Sequence, residues 1–416
     1  MNRYLIVPVV ILIYLYNVNI INAQESKVDT SNIKILRIDP KVANGGSVSQ
    51  VFEDIQFIPL QTIKESLFGD ITQLEVTEKE YVIFDNDTKT ILIFDKQGKY
   101  KCKINLMKEI GGKLSVEDVD IYGFTLKNEK NIPLIEFSTK TKKFVFNFDA
   151  KKINEYKIAS IESYAAQEFI FKDSTKVISY YRNLGSADKS LYQYVIKKGG
   201  EIAYKYFEID TSKYSKNGDF AVGGKSLIET DNPEIFNAVR NYDYNIYKIS
   251  TNGISVAYRL VFPNINTIPI DFNSNKKYLG KKLDYFFKFP KNIFGIGYTY
   301  KIGNNLYFKC GSLHPDIRKN GSFVYNLTND YLISLNKLDV DSSSNYLPII
   351  GRWDNDFKKY DGEFLYCSLS SIELFSYYEQ EKVKKHKYPI AMQEYFNNGS
   401  KKDNPVIIRI KPRKDI

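Results

Sequence analysis

Short stretches of alternating apolar and polar positions, bounded by turn residues, recur along most of this chain. Residues 81–100, YVIFDNDTKTILIFDKQGKY, are the plainest case. Two apolar runs, 82–84 and 91–94, each end in Phe-Asp. A polar turn, Asn86-Asp87-Thr88-Lys89, separates them, and Lys96-Gln97-Gly98 turns the chain into a third strand at Tyr100. This spacing predicts an antiparallel meander of the kind that builds propeller blades. Asp85 and Asp95 are expected to hold the turns, because a short carboxylate accepts from backbone amides just ahead of it.

The pattern repeats in weaker form. Strand-like runs at 33–38, 51–60 and 71–76 precede the meander, which closes at 100–106. A second set spans 119–156, with KFVFNF at 143–148 alternating at period two. A third covers 168–209 and turns at Lys198-Gly199-Gly200, and a fourth covers 244–262 around Asn252-Gly253, a strong hairpin dipeptide. The fifth runs from 293 to 326, and the sixth from 331 to 369 with a last strand at 406–410. Six sets in roughly 350 residues exceed the ~40–50 residues of common propeller repeats, so long loops are expected on some blades. One stretch departs from the β pattern: residues 371–398 place Ile372, Phe375 and Tyr378 near helical spacing, Pro389 suits a first helical position, and Asn398-Gly399 suits a stop. The expected fold is all-β: a six-bladed β-propeller with four-stranded antiparallel blades, terminal strand closure and a short helical insertion near the C-terminus.

The N-terminus sets a different expectation. Arg3 precedes an apolar run at 4–16, too short for the roughly 20 residues of a bilayer span, and Ile21-Asn22-Ala23 fits a signal peptidase site. Residues 1–23 therefore read as a signal peptide cleaved near Ala23, and 24–50 as a lead segment. The propeller is expected over 51–416 with its helical insertion at 371–398. No later run is long and apolar enough to cross a membrane, so the mature chain is expected in the periplasm or outside the cell, as a monomer.

Composition sharpens this picture. The chain holds 33 Tyr and 27 Phe against one Trp, which favours pleated, half-buried surfaces. Its net charge of +10 is spread over Lys pairs such as Lys142-Lys143, Lys276-Lys277 and Lys401-Lys402. A nucleic-acid surface needs a focused stripe, so none is expected. Cys102, Cys310 and Cys367 have no close spacing; a Cys310–Cys367 disulfide is open, with buried free thiols the expected state. His314 and His386 are the only histidines, which excludes a multi-His metal centre and gives no support to a His-based triad; His386, within KKHK, is expected on a solvated helix face. No cofactor is expected.

Taken together, these residues resemble the exported six-bladed β-propeller proteins of Gram-negative gut and oral bacteria, an NHL-like group. The resemblance rests on Phe57-Ile58-Pro59-Leu60-Gln61-Thr62, Ser66-Leu67-Phe68-Gly69, YVIFD and ILIFDKQGKY in order, and Asp403-Asn404-Pro405-Val406 near the end. It fails at NLMKEIGGKLSVEDVD (105–120), where the group has Gly-Pro and Glu-Tyr in a Gly-rich segment. The resemblance implies a binding or accessory role and transfers no catalytic residue.

Function is therefore expected to be non-catalytic: binding or protein assembly, accessory to capture of a glycan, peptide or protein. The alternative is a propeller enzyme, a glycoside hydrolase or lyase acting on a polysaccharide, which would need two carboxylates about 5–9 Å apart. Contact residues are expected where aromatic and Arg side chains cluster at loop edges: Tyr181 with Arg182, Arg240 with Tyr242, and Arg352 with Trp353.

Overall fold

A strand that is apolar on both faces has to be covered on both faces, and residues 80–95 show what covers them. Val82, Phe84, Ile91 and Ile93 pack with Ile135, Phe137, Phe144 and Phe146 on one side. Their neighbours Tyr81, Ile83, Leu92 and Phe94 pack with Ile58, Tyr366 and Ile407 on the other. Alternation at period two thus divides one hairpin between two cores, because each blade of the ring is wedged between two others.

The structure is a computed structural model that describes residues 25–111, 121, 123–129, 132–139, 141–158, 165–180, 192–208, 227–351 and 356–416; the expected signal peptide lies outside them. In chain order come β1 (Lys34–Arg37), β2 (Asn44–Ser47), the one-turn helix α1 (Val48–Val51) and β3 (Phe52–Pro59). The first blade is β4 (Gln73–Val76), β5 (Glu80–Asp85), β6 (Thr90–Asp95) and β7 (Tyr100–Asn105), followed by α2 (Leu106–Ile110). The second is β8 (Thr125–Glu129), β9 (Ile132–Ser138), β10 (Lys142–Phe146) and β11 (Lys152–Lys157). The third is β12 (Ala165–Ile170), β13 (Lys176–Tyr180), β14 (Tyr192–Lys198) and β15 (Glu201–Glu208). The fourth is β16 (Leu227–Glu229), β17 (Phe236–Ala238), β18 (Asn245–Ser250) and β19 (Gly253–Val261), after which α3 (Lys282–Lys288) leads onward. The fifth is β20 (Ile293–Ile302), β21 (Asn305–Ser312), α4 (Pro315–Asn320), β22 (Ser322–Asn326) and β23 (Leu332–Asp339). The sixth is β24 (Lys359–Tyr360), β25 (Leu365–Leu369), the helices α5 (Ser371–Glu381) and α6 (Ile390–Asn398), and β26 (Val406–Pro412). The strand expected to open the sixth set at 331–335 is the last strand of the fifth blade instead, hydrogen-bonded to β22. Apolar spacing marks a strand but does not say which sheet receives it.

Both ends of the chain meet in the sixth blade. Its order is β24-β25-β26-β3, with β26 and β3 antiparallel from Val406 opposite Pro59 to Pro412 opposite Phe52. Before reaching that place, residues 25–47 run along the outside of the ring. The Ser26 amide donates to Lys205 O at 2.8 Å, β1 pairs parallel to β19, and β2 pairs parallel to β23. This strap covers edges that would otherwise offer free backbone groups to another chain. The outer strand β11 has no such partner among the described residues; its six residues are exposed and include two Lys.

Asn404 ties the closure together. Fully buried, its side-chain amide donates to Gln61 O and Ser66 O at 2.9 Å, and its carbonyl accepts from Phe68 N at 3.1 Å. Its own backbone amide donates to Thr62 Oγ1 at 2.9 Å. The Ile-Pro-Leu-Gln-Thr and Asn-Pro-Val segments, over 330 residues apart, are thus two halves of one joint. Asn404→Ala would leave buried backbone groups unpaired, and thermal melts should show a loss of about 2–4 kcal/mol. A melt matching the parent chain would mean that the joint contributes nothing.

Candidate functional site

Four antiparallel strands per blade, joined in sequence around a ring, put successive connections on alternate faces. Turns between first and second strands, and between third and fourth, share one face. They are short: 77–79, 147–151, 199–200 and 303–304 are examples. Connections between second and third strands, and from blade to blade, share the other face. There lie 61–72, 262–292, 340–351 and 370–405, and with them every helix among the described residues except α1. The two faces are therefore chemically unequal.

The long-loop face carries most of the large apolar side chains that water reaches. Leu67, Ile270, Phe287, Ile372, Val383 and Ile390 are exposed there, Phe287 at 67% and Val383 at 89%. By the short turns, among the described residues, Ile132, Ile153, Ile170, Ile202 and Tyr331 are exposed, from three different blades. The sequence pattern names no element between 263 and 292, yet this insertion is firmly built. Phe272 and Phe286 pack with Tyr242 and Phe294 in a cluster of their own, while Phe287, one residue on, points outward.

Near the short-turn face an ion-pair cluster spans the ring's axis. Glu75 on β4, Glu229 on β16 and Lys359 on β24 extend from the innermost strands of the first, fourth and sixth blades. Lys359 Nζ lies 2.7 Å from Glu75 Oε2 and 2.5 Å from Glu229 Oε1. Since the first and fourth blades stand opposite one another, one ammonium bridges the channel. Burial pulls the Lys359 ammonium toward its neutral form, but Glu229 and Glu75 outweigh it and hold its pKa above the ordinary lysine value. Tyr300 stands nearby, fully buried, its hydroxyl donating to Phe357 O at 2.9 Å. Its pKa is pushed well up, first by burial and then by Glu229, Asp356 and Glu75. Two carboxylates neutralised by one shared cation are poorly placed to act as acid and base. Asp85 and Asp95 hold turns: Asp85 accepts from Thr88 Oγ1 at 2.7 Å, and Asp95 from the Gln97 and Lys99 amides at 3.0 and 2.8 Å. Among the described residues no three His, Cys, Asp or Glu side chains converge on a metal-sized site.

Of the contact residues expected from sequence, Tyr181, Arg182, Arg352 and Trp353 lie outside the described residues. Arg240 and Tyr242 are described, and the two part company. The Arg240 guanidinium stacks 3.7 Å above the Phe207 ring, donates to Gln193 Oε1 at 2.9 Å and lies 3.7 Å from Asp243. Tyr242 is buried rather than displayed at a loop edge, stacked on Phe286 with the Lys282 ammonium 4.6 Å from its ring centre. Cys102, Cys310 and Cys367 are free thiols, and burial pushes the Cys310 thiol far up, away from reactivity.

Sequence reasoning missed a cleft between α5 and α6. His386 is not on a solvated helix face: the helical turn ends at Lys384, and the imidazole stacks on Tyr346 at 4.1 Å. Around it Tyr378, Lys382, Lys385, Lys387, Tyr388, Gln393, Phe396 and Asn397 enclose about 250 Å³. The run of lysines was legible; the aromatic walls, Tyr378 from α5 and Phe396 from α6 with Tyr388 between them, were not.

Comparison with known proteins agrees with this architecture. The model of a family described as a 6-bladed beta-propeller (DUF5128) matches residues 23–309. A crystal structure of an exported-protein candidate from Bacteroides fragilis is similar over 91% of this chain and 100% of its own, with 15% identity and a TM-score of 0.61. A member of the DUF4221 family from Bacteroides vulgatus is similar over 87% of this chain and 98% of its own, with 13% identity and a TM-score of 0.41. At 15% identity the likeness to the Bacteroides fragilis protein is one of fold. No curated protein matches the chain in sequence.

Proposed function

The chain belongs to the DUF5128 six-bladed β-propeller family, and from that premise we propose that it is an exported, non-catalytic binding or assembly module that meets its partner with the long-loop face. The observation that carries this reading is the asymmetry of the disc: insertions and most exposed large apolar side chains lie on one face, over a ring whose axis is bridged by Lys359. Export is supported by residues 1–23, by the likeness to the exported-protein candidate, and by the fact that no helix among the described residues is long and apolar enough to cross a membrane. The partner is a glycan, a peptide or a protein. Arg352, Trp353, Tyr181 and Arg182 stand as further proposed contacts.

An enzyme acting on polysaccharide is the weaker reading, because the carboxylates that meet across the axis are held by Lys359. Binding on a glycan and peptide array tests the proposal. Ile270→Glu with Phe287→Glu should lower the signal at least tenfold, while Ile132→Glu with Ile170→Glu should leave it intact. Both pairs are exposed, so each chain should keep its stability to within about 0.5 kcal/mol per site. Loss confined to the short-turn pair, or array signal in neither parent nor variants, would overturn the assignment.

A further inference from the structure

We propose that the cleft between α5 and α6 binds an acidic saccharide, one carrying carboxylate or sulfate groups. The proposal rests on the reading of the long-loop face as the binding face and gives that face a ligand class. At about 250 Å³ the cleft is smaller than the ~300–1,000 Å³ of sites for drug-sized molecules, a size suited to one unit of a longer chain.

Charge is the first argument. Among the described residues, the ammonium groups of Lys382, Lys385 and Lys387 have no acidic partner. The nearest carboxylate, Glu381, is already engaged by Lys384 at 2.8 Å and His386 at 3.5 Å. Three lysines therefore line one opening without an acidic partner of their own, which favours an anion there. The second argument is an unsatisfied group. Tyr388 lines the cleft, and its buried hydroxyl has no hydrogen-bond partner among the described residues. A buried hydroxyl without a partner is costly, and a ligand oxygen would satisfy it.

Shape and backbone complete the case. Tyr378, His386, Tyr388 and Phe396 line the cleft, and aromatic side chains beside polar groups suit the C–H faces of a sugar. The loop holds Lys385 at a φ of 52°, a left-handed conformation that a lysine rarely adopts. An acidic peptide would answer the charge, but it gives the ring faces no particular partner.

The test uses the full mature chain with three labelled probes: a heparin-derived hexasaccharide, a hexamer of galacturonate, and neutral maltohexaose. A glutamate peptide of matched charge is the competitor. Binding to an acidic hexasaccharide and not to maltohexaose is expected. Lys382→Glu with Lys385→Glu and Lys387→Glu should weaken it by about tenfold or more, and Tyr388→Phe, which removes only the hydroxyl, by about threefold or more. Full affinity in either variant, equal binding of the glutamate peptide, or no binding of either acidic probe would overturn the cleft assignment. The Ile270→Glu with Phe287→Glu result on the array is read separately, so the cleft can fail while the face assignment stands.

Discussion

Deleting residues 405–416 should abolish the single cooperative melt of this protein. The deletion removes β26, the strand between β25 and β3, and with it Val406, Ile407, Ile408 and Ile410, all fully buried. Each such side chain contributes about 1.5–3 kcal/mol by burial. Together they approach the roughly 5–15 kcal/mol that separates a folded domain from its unfolded state. Further losses follow on the short-turn face, where Asn305 Nδ2 donates to Arg413 O at 2.9 Å and Asn326 Nδ2 to Asp415 Oδ1 at 2.8 Å. With β26 gone, β3 loses its pairing and the ring opens at the joint between first and sixth blades. Calorimetry of the truncated chain should show no sharp transition; an unchanged melting temperature would remove terminal closure from the account.

Lys359→Met should be the most damaging single substitution on the axis, at about 3–5 kcal/mol, because it leaves two carboxylates facing each other without their cation. The pH dependence gives the cause away. In the parent chain the folded pKa of Lys359 is raised, so its contribution is fully present below the ordinary lysine value of about 10.4 and fades only as pH rises through the folded value. In the variant the paired carboxylates repel, so one should take up a proton more readily than in the unfolded chain. A folded pKa raised in this way adds stability below the unfolded value and loses it as pH climbs, so Lys359→Met should recover toward pH 4–5. Adding Glu75→Gln and Glu229→Gln should recover stability at pH 7. Denaturant titrations across pH check both. Parent-like stability of the single variant at pH 7 would mean that the bridge does not hold the axis.

How much of this could be read from the chain depends on where the information sits. The hairpin at 80–95 was legible because its residues are buried on both faces, so the apolar run is nearly unbroken. The helical insertion at 371–398 was legible from spacing and from Gly399, which caps α6. The strap was only half legible. β2 is Asn44-Gly45-Gly46-Ser47, without alternation, and joins β23 largely through its backbone. Gly45 is needed there because a side-chain carbon would sit 2.7 Å from Lys337 O. Sequence gives no sign that Lys359 reaches Glu229, 130 positions away, since only the ring geometry brings their strands together. The same holds for Tyr242. Its aromatic and Arg neighbours suggested a display site, but the insertion at 263–292 supplies Phe272 and Phe286 to bury it.

Binding through one face of the ring is tested by differential hydrogen exchange on residues 24–416, with and without the saccharide or peptide pool giving the strongest array signal. Protection is predicted in 61–72, 262–292, 340–351 and 370–405, with the turns at 77–79, 147–151, 199–200 and 361–364 unchanged. Protection centred on those turns, with the long loops unchanged, would contradict the account.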